Sequence, residues 1–291
     1  MPLLWRDWLA LARPRHWVKN LFVLAPLLFA RHLFDWDLWL RALAAAALFS
    51  AMSSAVYAFN DALDVERDRS HPLKRGRPIA AGRISVRTAF VAAGGLALAA
   101  VLAGLSLGAG FVLVGLGYLG LNAIYSLWLK RVAFLDVACI ATGFLLRVVG
   151  GALAIEAAIS AWVVVCTFGL ASLLGLGKRR HELVSLGDSS VDTRPALLGY
   201  SRRSLRVAEW VLVVVTVAAY AAYTLAPGTL AKFGHARLLL TVPFPLAGML
   251  RYLQLVETRR DASPTEALVT DLPTWLNLAA WVVAVVIALY G

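Results

Sequence analysis

Nine stretches of this chain are long and apolar enough to lie across a bilayer: roughly 16–34, 38–60, 87–106, 109–129, 133–155, 160–177, 205–226, 235–256 and 272–290. A helix of about 20 apolar residues spans the hydrocarbon core, where every backbone N–H and C=O must be satisfied inside the segment. The expected fold is therefore all-α, a polytopic bundle of nine transmembrane helices. The second and fifth windows are the clearest, while the first and eighth contain Pro and polar residues. Composition agrees: 15% of residues are charged and mean hydropathy is +0.75, against roughly 25% charge in soluble domains. The N-terminus, "MPLLWRDWLALARPRHWVKN", has no small-residue cleavage site, so no cleaved signal peptide is expected. A single transmembrane domain over 1–291, without a soluble appendage, is the expectation.

A net charge of +11 would suggest nucleic acid in a soluble chain, but its distribution argues for topology instead. With the N-terminus in the cytoplasm, 23 Lys and Arg lie on inner segments and only Arg31, Arg41, Lys232 and Arg237 on outer ones. That asymmetry satisfies the positive-inside rule for nine spans. It implies a plasma (inner) membrane protein with a cytoplasmic N-terminus, and no nucleic-acid partner. The long polar segments 61–86, 178–204 and 257–271 are then cytoplasmic, so any chemistry is expected at that mouth. Cys139 and Cys166 lie inside apolar windows and read as packing, with no disulfide or metal-finger pattern.

The stretch "NDALDVERDRSHPLKRGRPIA" (60–80) breaks the topological rule by placing carboxylates beside the basic residues. If the second helix continues past Phe59, then Asn60, Asp61, Asp64 and Asp68 share one face. Like charges at that spacing repel, so a cation should compensate. The Lys/Arg residues that follow are one candidate. Mg²⁺ is the other, because hard oxygen donors on one face suit it and it bridges carboxylates to substrate phosphates. Glu66 points roughly opposite. The Pro- and Gly-bearing loop brings Lys74, Arg75, Arg77 and Arg83 nearby as phosphate clamps, although such a loop alone also serves as a lipid-headgroup or topology signal.

Further polar groups join from other helix ends. "GLGKRRHEL" supplies Lys178, Arg179, Arg180, His181 and Glu182; three consecutive cations diverge on a helix, so at most two face one ligand, and a stop-transfer cluster is the plain alternative. Glu182 and Tyr200 are weaker orienting candidates, and His181 has no Ser or Cys partner for a triad. Tyr125 and Lys130 end the fourth window and Asp136 opens the fifth. Arg147 lies eleven residues beyond Asp136, about 16 Å along a helix, on the same face. Intramembrane cations are costly and face the bundle interior, so Arg147 either binds a lipid phosphate or pairs with an internal acid or carbonyls. Lys19 and Asn20, and Arg251 and Asp271, are individually weak signals.

The motif "NDALDVERD" resembles the N-D-x-x-D-x-x-x-D signature of the UbiA-type polyprenyltransferase superfamily, with "YSLWLK" in support, and the resemblance runs over essentially the whole chain. It implies a nine-helix fold, a cytoplasmic-side active site and Mg²⁺. Where ordinary members carry a second Asp-rich motif, this chain reads "GKRRHEL". With "RPRHWVKN", "HPLKRGRPIAAG", "GFLLRVVGG" and "SPTEALVTD", that departure resembles the phosphoribosyltransferase branch, which acts on decaprenyl phosphate. The resemblance implies transfer of 5-phosphoribose from phosphoribosyl pyrophosphate (PRPP) to a polyprenyl phosphate, releasing pyrophosphate, in cell-envelope polysaccharide synthesis. Asp61, Asp64 and Asp68, with Asn60, would hold the metal; Lys19, Lys74, Arg75, Arg77, Tyr125, Lys130, Arg147, Lys178, Arg179, Arg180 and Glu182 would bind substrate. Chain length of the lipid and oligomeric state stay open. A prenyltransferase using prenyl diphosphate and an aromatic or haem-type acceptor is the rival, and would use the D-x-x-x-D spacing of Asp188 and Asp192. A transporter or lipid-binding scaffold is the rival of another class; it would place its polar groups nearer mid-membrane.

Overall fold

The structure is a computed structural model and describes residues 4–29, 34–72, 74–186, 195–234, 236–258, 267–268 and 270–290. Among these residues every regular element is helical. In chain order, α1 spans Leu4–Ala12, a 3-10 segment Pro14–Leu24, α2 Ala25–Phe29, α3 Trp36–Leu63, α4 Val65–Ser70, α5 Val86–Gly104 and α6 Ala109–Leu127. Then follow α7 Leu135–Ala154, α8 Ala161–Leu186, α9 Arg202–Leu225, α10 Pro227–Phe233, α11 Pro243–Thr258 and α12 Leu272–Tyr290. Among the described residues, eight helices are long and apolar enough to cross a membrane, and the chain is an integral membrane protein by that pattern.

The ninth expected span, 16–34, takes another form. Its first part is the 3-10 segment and its second the five-residue α2; residues 30–33 lie outside the described residues. Pro14 opens the segment and Pro26 follows its end, and a proline within a helix removes a donor and clashes with the preceding turn. The helix of the sixth window runs past the apolar residues and carries "KRRHEL" onward to Leu186, so the cluster lies on the helix end, as expected.

Local chemistry sets the ends. Asp35 caps α3 by accepting the Leu38 N–H (3.3 Å), Ser85 caps α5 by accepting the Thr88 N–H (3.0 Å), and Ser201 with Ser204 forms a capping box on α9. In the loop between α4 and α5, Gly82 adopts φ +73°, a left-handed conformation that lets the chain reverse into α5.

The chain divides into two compact units: Met1–Ser126 with Leu146–Ala158, and Leu127–Leu145 with Ile159–Gly291. In the first, Val23, Ala45, Phe49, Met52, Phe111 and Tyr118 form the core. The Phe49 ring meets Phe111 and Tyr118 edge-on, each at 5.6 Å between centroids. The pair Gly150–Gly151 on α7 makes this packing possible. A Cβ on Gly151 would lie 2.0 Å from the Val23 carbonyl oxygen, and one on Gly150 would lie 2.5 Å from the Phe49 ring. In the second unit, Leu173, Val213, Met249, Tyr252, Leu253 and Val256 form one cluster, and Val137, Leu176, Leu197, Tyr200 and Leu205 another. Large apolar side chains such as Val91, Leu98, Val214 and Ile287 are exposed, which is the pattern a lipid-facing surface requires.

Candidate active site

The first unit gathers the carboxylates of α3 and α4 around two arginines. α3 ends at Leu63, Asp64 forms the junction, and α4 carries Asp68. Asp61 and Asp68 are both buried. Arg13 Nη2 donates to both oxygens of Asp61, at 2.6 and 2.8 Å. Arg77 Nη1 donates to Asp61 Oδ1 at 2.9 Å and to Asp68 Oδ2 at 2.6 Å. The compensating cation expected from like-charge spacing is thus present as a guanidinium. Asp64 stands farther out, with Arg67 Nη1 at 3.7 Å. Glu66 is turned away and exposed, paired to Arg69 at 2.8 Å. Asn60 faces α6, where the Ser126 hydroxyl donates toward its Oδ1.

Arg13 sits where the sequence breaks between α1 and the 3-10 segment, at φ 53° and ψ 61°. A non-glycine residue in this left-handed region is strained by about 1–2 kcal/mol, and here the strain aims the guanidinium at Asp61 and brings it within 5.1 Å of the Tyr57 ring. Arg83 ties the basic loop to α1: its Nε donates to Asp7 at 2.8 Å and its Nη2 to the Gly76 carbonyl at 3.0 Å. Arg77 follows Gly76 directly, so this anchor fixes the backbone that carries it. Lys74 is half-buried, and burial first, then the neighbouring Arg77 charge, lower its pKa below the usual lysine value. Arg75 is exposed, whereas Lys19 and Tyr125 are half-buried.

Deeper in the same unit lies Arg147, which is buried. Its Nε donates to Asn20 Oδ1 at 2.7 Å and its Nη2 to the Tyr118 hydroxyl at 2.8 Å. Asn20 Nδ2 in turn donates to Ser50 Oγ at 2.8 Å. Arg147 and Gly151 are four residues apart on one face of α7, so the close approach at Val23 is what brings Asn20 onto Arg147.

The second unit holds its own polar centre. Asp136, at 0% exposure, pairs through Oδ2 with Arg179 Nε at 3.0 Å. Its Oδ1 accepts the Tyr200 hydroxyl at 2.6 Å, and Tyr200 accepts the Phe134 N–H at 2.7 Å. Arg179 also bonds Glu182. Arg180 diverges to Glu209 (3.2 Å) and Glu257 (3.1 Å). The adjacent arginines therefore serve two different carboxylate sets, as helical divergence required. Lys178, on α8, and Lys130, on the short 3-10 turn Leu129–Arg131, are half-buried. Arg251 Nε and Nη2 clamp Asp271 at 3.1 and 2.8 Å. Asp188 and Asp192 lie outside the described residues.

Among the described residues, no group of three or more His, Cys, Asp or Glu side chains stands together as a metal cage. The chemistry of the donors nevertheless fits Mg²⁺: Asp61 and Asp68 are carboxylates already drawn around one positive charge, which is what a hard dication replaces. Sequence reasoning missed Arg13, the Asp7–Arg83 tie and the Glu209 partner of Arg180. The only available signal for Arg13 was its place before Pro14 at a helix break.

The profile of the UbiA prenyltransferase family matches residues 20–281. Over 96% of this chain and 91% of its own length, a decaprenyl-phosphate phosphoribosyltransferase of Mycolicibacterium smegmatis is 31% identical. One from Corynebacterium glutamicum is 33% identical over 96% of this chain and 85% of its own length. In structure, a UbiA homolog from Archaeoglobus fulgidus bound to GPP and Mg²⁺ superposes with a TM-score of 0.73, covering 98% of this chain and 100% of that one at 19% identity. That likeness concerns the fold, while the family match and the two relatives extend along nearly the whole sequence, carboxylate motif included. The chain belongs to the UbiA prenyltransferase family.

Proposed function

We propose that the protein transfers 5-phosphoribose from PRPP to a polyprenyl phosphate in the membrane, releasing pyrophosphate, with Mg²⁺ as cofactor. The observation that carries this reading is the pair of buried carboxylates, Asp61 and Asp68, gathered by Arg13 and Arg77 in a chain whose near-full-length relatives bear the phosphoribosyltransferase name. Mg²⁺, held by Asp61, Asp64 and Asp68 with Asn60, would neutralise the departing diphosphate. The incoming diphosphate offers Arg77 a new anionic partner in exchange for the two carboxylates. Lys74 and Arg75 supply further cations for its oxygens, and the depressed pKa of Lys74 makes it a group whose charge an arriving anion stabilises.

The lipid phosphate brings its own nucleophilic oxygen, so no strong protein base is required. That oxygen forms the bond to ribose C1 as the C1–oxygen bond to pyrophosphate breaks. Catalysis then rests on orientation and on electrostatic stabilisation. Lys19, Tyr125 and Lys178 are assigned to positioning substrate. Arg179, Arg180 and Glu182, whose ion pairs reach Asp136, Glu209 and Glu257, are assigned to substrate binding in the second unit.

The deciding assay uses protein in nanodiscs with Mg²⁺, labelled PRPP and a polyprenyl phosphate. Lipid-linked label that disappears in Asp61→Asn and Asp68→Asn supports the reading. Turnover of geranyl diphosphate with an aromatic acceptor, and none of PRPP, would sink it.

A further inference from the structure

A groove of about 460 Å³ opens in the second unit, between α9 and α11. This volume lies within the roughly 300–1,000 Å³ of small-molecule sites. Arg180 and the buried Glu209 are among the residues that line it. Among the described residues, neither Arg180 Nε nor Glu209 Oε1 makes a hydrogen bond, although the two stand 3.2 Å apart. A carboxylate inside a membrane span is costly and marks a site by default, and the reaction proposed above gives Glu209 no task.

The lining is part apolar and part charged. Trp210 and Leu250 contribute exposed apolar surface, and tryptophan collects at the depth of lipid headgroups. The polar part carries both signs. Glu257, the penultimate residue of α11, is exposed and shares Arg180 with Glu209, at 3.1 Å. Arg251 donates to Asp271 through Nε and Nη2 and to Gln254 through Nη1, and each terminal nitrogen carries a second N–H. Arg206, three residues before Glu209 on α9, is exposed and adds positive charge at the same end.

We infer that this groove binds the headgroup of a zwitterionic phospholipid with a primary ammonium, an ethanolamine phospholipid. The ammonium meets Glu257, the phosphate meets Arg251, and the glycerol end lies against Trp210 and Leu250. An anionic headgroup would set its phosphate beside two carboxylates and bring no cation for them. A quaternary ammonium is recognised by aromatic cages, whereas Trp210 supplies one ring and a carboxylate favours an N–H donor. The assignment does not depend on the transferase reading.

Native mass spectrometry in detergent tests this with ethanolamine, choline and glycerol phospholipids of identical acyl chains, and with farnesyl phosphate. Wild type should hold the ethanolamine lipid roughly fivefold to tenfold more tightly than the choline lipid, a comparison that needs no variant to fold. Glu257→Gln keeps an acceptor for Arg180 but loses the charge. It should erase the preference while shifting the choline lipid less than about twofold. Trp210→Ala should weaken both lipids alike, and thermal melts accompany each variant. No ethanolamine-lipid adduct, equal affinity for the two lipids in wild type, or a preference that survives Glu257→Gln overturns the assignment. So does unchanged binding in Trp210→Ala, which places the lipid elsewhere. Tightest binding by the glycerol phospholipid overturns it too, as does tightest binding by farnesyl phosphate, which gives the groove to the lipid substrate. A lipid-free dimer that Trp210→Ala dissociates gives the groove to a second copy and likewise overturns it.

Discussion

Arg13 holds Asp61 by a single terminal nitrogen that reaches both carboxylate oxygens, at 2.6 and 2.8 Å, across 48 residues of sequence. The contact joins the strained start of the 3-10 segment to the last turn of α3, and it sets what substitutions there should do. Arg13→Ala removes one of two cations from a buried carboxylate and should destabilise the fold by about 2 kcal/mol. Arg13→Gly loses the same contact but is at ease at φ 53°, so it should be milder than Ala by about 1 kcal/mol. Chemical unfolding in detergent checks the order; an alanine variant as stable as the glycine variant would contradict the strain argument.

Arg77 bridges Asp61 and Asp68. With Arg77→Met the two carboxylates face each other without their shared cation. Thermal stability in chelator should fall, by roughly 2–3 kcal/mol, and Mg²⁺ should restore more of it than it adds to wild type. An equal Mg²⁺ response in both proteins would remove these carboxylates from the metal assignment.

Asp136 is wholly buried between Arg179 and Tyr200. Asp136→Ala leaves the buried Arg179 with Glu182 and should cost about 3–5 kcal/mol, whereas Tyr200→Phe leaves the Phe134 N–H without its acceptor and should cost about 1–2 kcal/mol. Burial first, and then the hydrogen bond to Asp136, raise the Tyr200 pKa above its ordinary 10.0. The neutral hydroxyl therefore contributes stability in full below pH 10, and the contribution is lost as pH climbs past that value. An alkaline unfolding profile measured on wild type should steepen there, and Tyr200→Phe should flatten it.

Gly151 leaves room for the Val23 carbonyl. In Gly151→Ala the new methyl would meet backbone at 2.0 Å, and backbone cannot swing aside as a long side chain can. We expect a loss of about 3 kcal/mol and separation of Asn20 from Arg147. A thermal melt checks the first, and a double-mutant cycle of Gly151→Ala with Asn20→Ala, in which the cost of losing Asn20 should shrink, checks the second.

Asp271 accepts from Arg251, from the Thr274 hydroxyl (2.8 Å) and from the Thr274 N–H (3.1 Å), which caps α12. These bonds, Arg251 foremost, hold its pKa well below the ordinary 3.8. The charged form is thus favoured in the folded state. Its stabilisation is complete above about pH 4 and is lost as pH falls below 3.8. Asp271→Asn should remove this acid-side slope and cost about 1 kcal/mol at neutral pH, read from unfolding midpoints across pH.

Long apolar windows made the helical architecture legible, because a bilayer allows few other ways to satisfy a backbone. Over 16–34 they did not register the change from a 3-10 segment to α2 among the described residues, because hydropathy alone does not report what Pro14 and Pro26 do to helix continuity. The sixth window marked only the apolar part of α8, which runs on to Leu186, and the divergence of its adjacent arginines was legible from helical geometry alone. The carboxylates of α3 and α4 were legible from spacing, and so was the need for a cation among them. Which cation was not: Arg77 comes from a loop nine residues past Asp68, and Arg13 from a helix break 48 residues before Asp61. The chain by itself determined which groups need a partner, since burial cost and like-charge repulsion follow from residue type and local spacing. The tertiary structure alone decided who those partners are, because an ion pair is fixed by distances of about 3 Å that depend on close backbone approaches such as Gly151 against Val23.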